Sequence, residues 1–296
     1  MKPLVKATLF ALGLLCALPA CARAPARTDS DPALWVVKDA DTTVYLFGTI
    51  HVLKPGLTWF DEAVRAAFDR SDELKLEIVE PDPAVMSGLV TSKGMSADGP
   101  TLTARLPAKE QPKLAKYMGQ IGLPAAAYDR MRPWLAASYL QVQSLGKVGY
   151  DPASGPEQVL TAAAKAAGKP VIGLETAAQQ LGYFSALSAP AQLQFLTSTL
   201  DELPALRTTM ATMVDDWAAG KPDALADELN DSLKDSPEVA KVLLVDRNKR
   251  WAAWIRRRLN TPGTVFVAVG AGHLAGRDSV LAQLRTLGVR STRVRY

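Results

Sequence analysis

Short apolar runs rich in β-branched and aromatic residues lie near both ends of the chain. Residues 34–38 and 43–47 flank Asp39-Ala40-Asp41, a pattern that predicts a β-hairpin. Near the other terminus, residues 264–269 predict a further apolar strand. A helix and a last strand are predicted after it, at 277–287 and 289–295. Strands are therefore expected from both termini.

A helix and a strand are predicted directly after the hairpin. Residues 58–69 have helical periodicity, and Thr58 with Asp61 resembles a capping box that would begin this helix. In residues 73–79, Leu74, Leu76 and Ile78 alternate with Lys75, Glu77 and Val79, so the two sets would point to opposite sides of a strand. Glu77 is near the carboxyl end of this strand. The order strand, helix, strand is typical of an α/β unit.

The middle of the chain is predicted to be helical. Residues 83–169 and 175–259 carry helical patterns with proline and glycine interruptions, and 170–174 is a short apolar strand between them. We therefore predict an α/β fold in which a central mixed sheet is built from the N- and C-terminal segments. The domain would span residues 34–296, with a large helical lobe at about 84–260.

Composition narrows the class of protein. With 48% hydrophobic residues in 296, the chain can build a full core. Lys and Arg number 34 against 30 acidic residues, a balance that argues against nucleic acid as a partner. The run Arg256-Arg257-Arg258 alternates with apolar neighbours and is interpreted as a solvated face.

The first 33 residues have the pattern of an export signal followed by a flexible tether. Residues 1–20 begin with Lys2 and Lys6 and continue with an apolar stretch, as in a secretory signal peptide. Leu18-Pro19-Ala20-Cys21 resembles a lipobox, which would make Cys21 a lipid anchor, whereas cleavage after Ala24 would give a free secreted form. Residues 21–33 are the predicted tether. We expect a periplasmic or outer-membrane lipoprotein of a bacterium that touches the membrane only through this anchor.

Disulfides, cysteine nucleophiles and cysteine-based metal sites are excluded in the body of the mature protein. Both cysteines, Cys16 and Cys21, belong to the export segment.

The only two histidines in the chain occur in the same context. His51 and His273 each follow a glycine by three residues, Gly48 and Gly270, at the end of a predicted strand. With 20 Gly in 296 residues, chance gives this spacing for both histidines about 0.5% of the time. Because ligands bind beyond the carboxyl ends of strands in α/β sheets, we expect the two histidines and Glu77 to meet at one site.

Two imidazoles and a carboxylate can hold a divalent metal that turns bound water into a nucleophile. His51, His273 and Glu77 are therefore the candidate ligands, and Glu77 or the nearby Glu80 is the candidate base. A glycine before each histidine would let the chain turn sharply and let other groups approach. The sequence contains neither His-Glu-x-x-His nor Gly-x-Ser-x-Gly. The alternatives are packed histidines at strand ends and a solvent-facing Glu77.

Five segments together resemble the TraB/GumN family, also written TraB/PrgY/GumN, which is related to the Tiki metalloproteases. They are Phe47-Gly48-Thr49-Ile50-His51, Leu76-Glu77-Ile78, the run from Gly168 to Thr176, Arg247-Asn248, and Val269-Gly270-Ala271-Gly272-His273-Leu274. The resemblance runs from about residue 34 to 296. It implies a shared site at His51, Glu77 and His273 and a manganese- or cobalt-dependent, protease-like activity. Related folds include erythromycin-esterase-like hydrolases and a haem-binding lipoprotein group.

We therefore expect a metal-dependent hydrolase of the cell envelope that acts on a peptide or another small substrate. Manganese, cobalt or zinc would be its cofactor. Arg247 and Asn248 are expected to orient the substrate, although Arg247 could instead cap a helix or pair with an acid. A non-catalytic protein that binds haem or a peptide is the main alternative, and a structural accessory factor is another. The sequence does not specify the oligomeric state.

Overall fold

The computed structural model describes residues 28–233 and 236–296. The predicted signal peptide, Cys21 and the first part of the predicted tether lie outside the described residues. The strands are β1 (Thr28–Asp29), β2 (Leu34–Lys38), β3 (Thr42–Thr49), β4 (Leu57–Thr58), β5 (Glu73–Leu76), β6 (Val171–Gly173), β7 (Gly263–Gly270) and β8 (Thr292–Arg293).

The helices lie mainly between β5 and β7. They are α1 (Glu62–Arg70), α2 (Pro83–Gly94), α3 (Leu102–Arg105), α4 (Gln111–Gln120), α5 (Ala125–Tyr128), α6 (Pro133–Lys147), α7 (Pro156–Ala166), α8 (Ala177–Ser185), α9 (Ala189–Glu202), α10 (Leu206–Ala218), α11 (Pro222–Leu233), α12 (Pro237–Ala240), α13 (Asp246–Arg258) and α14 (Val280–Thr286). A π-helical segment, Lys241–Val245, joins α12 to α13, and two 3-10 turns cover Pro152–Ser154 and Ala271–Leu274. The predicted helical middle is thus confirmed.

Strands from both termini form one six-stranded mixed sheet, in the order β6-β5-β7-β3-β2-β8. β2 pairs antiparallel with β3 as the predicted hairpin. β3 runs parallel to β7 over its full length, so that Gly48 lies beside Val269 and Thr49 beside Gly270. β7 also pairs in parallel with β5. The α/β fold with a sheet built from distant segments is therefore confirmed.

The sheet is buried on both faces because its strands alternate two sets of apolar side chains. Phe47 and Phe266 lie on one face and pack with Trp59, Phe68 and Trp217. Leu46, Val265 and Val267 lie on the other face, which α13 and α14 cover. A separate apolar cluster holds the helical lobe together, from Leu102 in α3 to Leu200 in α9. Burial of each large side chain contributes about 1.5–3 kcal/mol, so packing on both faces stabilises the sheet whose strand ends carry the site.

Three local predictions at the N-terminal side were wrong. The helix predicted from residue 58 begins at Glu62, and its N-cap residue Asp61 makes no side-chain capping bond. Thr58 belongs instead to β4, which pairs in parallel with β1. Because Ser30 and Ala33 are buried, residues 28–33 pack on the domain and are not part of a tether.

Two elements near the C-terminus are shorter than predicted. The helix expected at 277–287 is α14, and the side chain of Ser279 caps its first turn. The strand expected at 289–295 is reduced to β8, which pairs with Trp35 and Val36 at the sheet edge. Among the described residues, none of the helices is both long enough and apolar enough to cross a membrane.

Candidate functional site

The three predicted site residues converge at the carboxyl ends of β3, β5 and β7. His51 follows β3 by two residues, Glu77 follows β5 directly, and His273 lies in the 3-10 turn after β7. A Cβ atom built at Gly270 would lie 3.2 Å from Glu77 Oε1, 3.6 Å from His51 Nε2 and 3.7 Å from His273 Cδ2. The structure therefore brings all three side chains around one point.

Glu77 is a buried carboxylate in a dense hydrogen-bond network. It accepts the backbone N–H of Gly270 at 2.8 Å, the Nη2 of Arg247 at 2.5 Å and the Nε2 of Gln180 at 3.1 Å. Burial alone would raise the pKa of Glu77, but His273 in its protonated form, the charges of Arg247 and His51 and the Gly270 N–H lower it to about 2. Glu77 is therefore ionised near neutral pH, and the solvent-facing alternative is wrong because the residue is 8% exposed.

The ring of His273 is hydrogen-bonded to a neutral amide oxygen. Its Nδ1 lies 2.6 Å from Asn248 Oδ1, and the Nδ2 of Asn248 donates to the Asp278 carbonyl at 2.8 Å. Since that second bond fixes which amide atom faces the ring, Nδ1 of His273 carries the proton and Nε2 has the lone pair, which accepts a hydrogen bond from Nη1 of Arg247 at 3.1 Å. Burial is the largest influence on the pKa of His273, which is lowered to about 4 against the attraction of Glu77. His273 is thus a neutral imidazole with Nε2 directed into the site.

His51 is held by a carboxylate. Its Nδ1 lies 2.6 Å from Glu157 Oε1, and the same oxygen accepts the Thr49 hydroxyl at 2.5 Å. The side chain of His51 is 66% exposed, so it loses less hydration than the buried His273. Desolvation would lower the pKa of His51, but the hydrogen bond and charge of Glu157, with the charge of Glu77, raise it to about 9. His51 forms the solvent-accessible side of the site.

Arg247 links the site to the helical lobe. Its guanidinium donates to Glu175 at 3.0 Å and to Glu77 at 2.5 Å, and its Nη1 lies 3.1 Å from His273 Nε2. Its charge centre is also 4.6 Å from the ring centroid of Trp251. The contacts of Arg247 therefore agree with the alternative in which it pairs with an acid.

The expected role of Asn248 in orienting substrate does not agree with its position. Asn248 is fully buried, and its amide oxygen and nitrogen are occupied by His273 and the Asp278 carbonyl. A side chain in this position can act only through His273. It supports the site without reaching a substrate.

The two glycines of the histidine motifs allow close approach and are not needed for sharp turns. Neither Gly48 nor Gly270 has a positive φ. A Cβ at Gly48 would lie 3.0 Å from the Cα of Ala271, so the two parallel strand ends could not meet as closely. A Cβ at Gly270 would project among the site residues.

Four further residues complete the site, and sequence reasoning did not assign them a role. They are Thr49, Glu157, Glu175 and Gln180. Thr49 and Glu175 lie within two of the family-like segments, which was a usable signal. Glu157 lies in the first turn of α7, where acidic residues are common because they interact favourably with the helix dipole. Because the helix dipole already accounts for a glutamate at this position, its contact with His51 could not be predicted from the sequence.

The side chains of the cluster are of the types that ligate a divalent transition metal, because two imidazoles lie near the carboxylate of Glu77. The Nδ1 atom of each imidazole is hydrogen-bonded to an oxygen, of Glu157 or of Asn248, which leaves Nε2 as the possible ligand atom. Over residues 28–233 and 236–296, however, no three His, Cys, Asp or Glu side chains form a group arranged to hold an ion. In their place, the guanidinium of Arg247 contacts both His273 Nε2 and Glu77. Metal binding would require Arg247 to release His273.

The protein is therefore an α/β protein with a cluster of two histidines and a glutamate at the carboxyl ends of the parallel strands in its mixed sheet. The TraB/PrgY/gumN family model matches residues 33–293, and the chain belongs to this family. It is similar to the uncharacterized protein YbaP of Escherichia coli (strain K12), with 26% identity over 261 residues that cover 86% of this chain and 92% of YbaP. YbaP of Shigella flexneri matches to the same extent. No solved structure matches the chain.

Proposed function

We propose that the protein is a metal-dependent hydrolase that acts on a peptide or another small substrate. His51, His273 and Glu77 would hold manganese, cobalt or zinc. One observation carries the proposal: the two histidines and the glutamate surround a single point at Gly270, and each Nδ1 is bonded to an oxygen. This arrangement is typical of histidines that ligate metals through Nε2.

Each protein group has a distinct task in this proposal. Asn248 fixes the ring orientation of His273. Glu77 supplies the anionic ligand, and its low pKa keeps it ionised. The bound ion would acidify a water molecule and so supply the nucleophile near neutral pH. His51 is the most exposed member, so substrate would approach from its side.

The contacts of Arg247 also give it a role in the proposed reaction. Because it pairs with both Glu77 and Glu175, it can break its contact with His273 Nε2 and remain bonded to Glu175. Its charge would then stay near the reaction centre, where it can stabilise a developing negative charge.

The decisive experiment measures metal binding and peptide cleavage on the same purified protein. The metal-free chain is titrated with Mn²⁺, Co²⁺ and Zn²⁺, and cleavage of a peptide library is followed with and without metal. We expect one tightly bound ion per chain and metal-dependent cleavage, both lost in His51→Ala and His273→Ala and weakened in Glu77→Gln. Glu238→Gln is the matched control, because Glu238 is bonded to Ser188 in the helical lobe.

Three results would contradict the proposal. Equal metal binding by the parent and the histidine variants would remove the site assignment. A haem absorbance band that depends on either histidine, without any cleavage, would favour the binding protein. Loss of folding in the histidine variants, with no metal bound by the parent, would favour a structural accessory factor.

We also propose that the protein is exported and anchored through Cys21, on the basis of the sequence pattern in residues 1–21. Mass spectrometry of the N-terminus, after expression in a bacterium, tests this. Lipid on Cys21, lost in Cys21→Ser, is the expected result. An unmodified N-terminus after residue 24 would establish the free secreted form.

A further inference from the structure

The side chain of Glu157 bonds to one of the two histidines in a way that neither the motifs nor the family resemblance indicates. Its Oε1 is 2.6 Å from His51 Nδ1 and 2.5 Å from the hydroxyl of Thr49. Thr49 is the last residue of β3 and is 2% exposed. The carboxylate is therefore fixed from the sheet side, and it in turn fixes an otherwise exposed ring.

The backbone around Glu157 is also fixed against the segment that carries His51. Leu53 and Asp151 form an isolated antiparallel bridge, with the Asp151 N–H donating to the Leu53 carbonyl at 3.0 Å. A Cβ at Gly155 would lie 2.3 Å from the His51 carbonyl oxygen, so only glycine permits this packing. The segment that leads into α7 therefore packs directly against His51 and the chain just after it.

The two histidines differ in the charge of the group that holds them. Asn248 presents a neutral amide oxygen to His273, whereas Glu157 presents a carboxylate to His51. A carboxylate on Nδ1 orients the ring and makes Nε2 a stronger donor to a metal. His51, the exposed ring, has the stronger of the two supports.

We infer that Glu157, supported by Thr49, is the positioning residue that directs His51 Nε2 towards Glu77 and His273. This inference rests on the proposed function for its purpose, because a ring directed in this way would serve as a metal ligand. The hydrogen bonds themselves do not depend on metal. The two ideas can therefore be tested separately.

The first test uses NMR of the imidazole groups in the metal-free full chain. Two histidines give two sets of signals, and His51→Asn assigns them. We expect a downfield, slowly exchanging Nδ1–H signal for His51 that moves upfield in Glu157→Gln and moves less in Thr49→Val. Glu238→Gln is the matched control, because its carboxylate accepts a hydroxyl from Ser188 at 2.6 Å, as Glu157 does from Thr49.

The second test measures Co²⁺ affinity of the same variants. Loss of a residue that supports a ligand typically weakens metal affinity about 10- to 100-fold. We expect a loss in this range for Glu157→Gln, a smaller one for Thr49→Val and no change for Glu238→Gln. Circular dichroism confirms that each variant is folded, and Thr49→Val tests the same contact if Glu157→Gln fails to fold.

The outcomes separate the two proposals. If the parent binds Co²⁺ and Glu157→Gln leaves both the affinity and the His51 signal unchanged, the positioning role is overturned and the proposed function stands. If the parent binds no metal but the His51 signal depends on Glu157, the proposed function fails and the hydrogen-bonded support of His51 is confirmed.

Discussion

Replacing Arg247 by methionine should destabilise the protein strongly, because two buried carboxylates share its charge. Arg247 lies 2.5 Å from Glu77 and 2.9 Å from Glu175, and both acids are less than 10% exposed. Methionine fills much of the same volume but cannot neutralise either acid. Removal of one partner of a buried pair typically costs about 3–5 kcal/mol.

Some compensation remains, and it limits the effect to that range. Arg250 Nη2 is 3.6 Å from Glu175, and Glu77 keeps its bonds from Gly270 and Gln180. For a chain of this size, the loss corresponds to a fall in melting temperature of roughly 6–20 °C. The matched control is Arg65→Met, which breaks an exposed i,i+4 pair with Asp69 and should cost only about 0.3–0.5 kcal/mol.

The assay is urea unfolding of the metal-free protein at several pH values, with the m-value checked for constancy. The pKa of Glu77 is lowered from 4.5 to about 2, so its contribution to stability is present above pH 4.5 and is lost as the pH falls through 2. The difference between parent and Arg247→Met should therefore shrink over that range. A cost below about 1 kcal/mol at pH 7, or one equal to that of Arg65→Met, would refute the reasoning.

Three further predictions concern the glycines, the core and the charge of His51. Gly270→Ala should keep the fold but weaken Co²⁺ binding, because the new Cβ would lie 3.2 Å from Glu77 Oε1. In Gly48→Ala the new Cβ would lie 3.0 Å from the Cα of Ala271, so urea unfolding should show a loss of about 1–3 kcal/mol in the free energy of unfolding. Phe47→Ala should cost about 3–5 kcal/mol by the same assay, since the ring is fully buried between Trp59 and Phe266, and a cost under 1 kcal/mol would contradict that packing. Co²⁺ affinity should rise up to about tenfold per pH unit from pH 7 to 9, because binding displaces the proton of His51, whose pKa is raised to about 9; a flat profile would contradict this protonation state.

The parts of the fold that the sequence predicts are those governed by local pattern. Residues 43–47 and 264–269 carry a strand pattern that nothing nearby contradicts, and their glycine-histidine endings indicated that they are neighbours. Of the two roles that the sequence predicts for the glycines, the sharp turn is wrong, because neither Gly48 nor Gly270 has a positive φ. The close approach agrees with the structure, because Ala271 packs against Gly48. In the sheet, Gly48 lies beside Val269, a residue 221 positions later in the chain. Only the repetition of the glycine-histidine motif suggested this long-range pairing.

The missed features depend on contacts between distant segments. Thr58 was assigned to a helix cap, but β1, from a stretch with a linker-like composition, pairs with it. The substrate role predicted for Asn248 does not hold, because its burial and the direction of its amide are set by contacts with His273 and Asp278, which the sequence does not show. Glu157 was overlooked because a glutamate at a helix start already has a local explanation. Local propensity therefore predicted the elements but not the side chains that support the site.

Anomalous X-ray diffraction from crystals of the Mn²⁺-loaded full chain tests the central claim most directly. The proposed site predicts one strong peak about 2 Å from the Nε2 atoms of His51 and His273, with Glu77 as the third protein ligand and Arg247 displaced towards Glu175. A map without a peak there, with Arg247 still bonded to both Glu77 and His273, would contradict the assignment of these residues as a metal site.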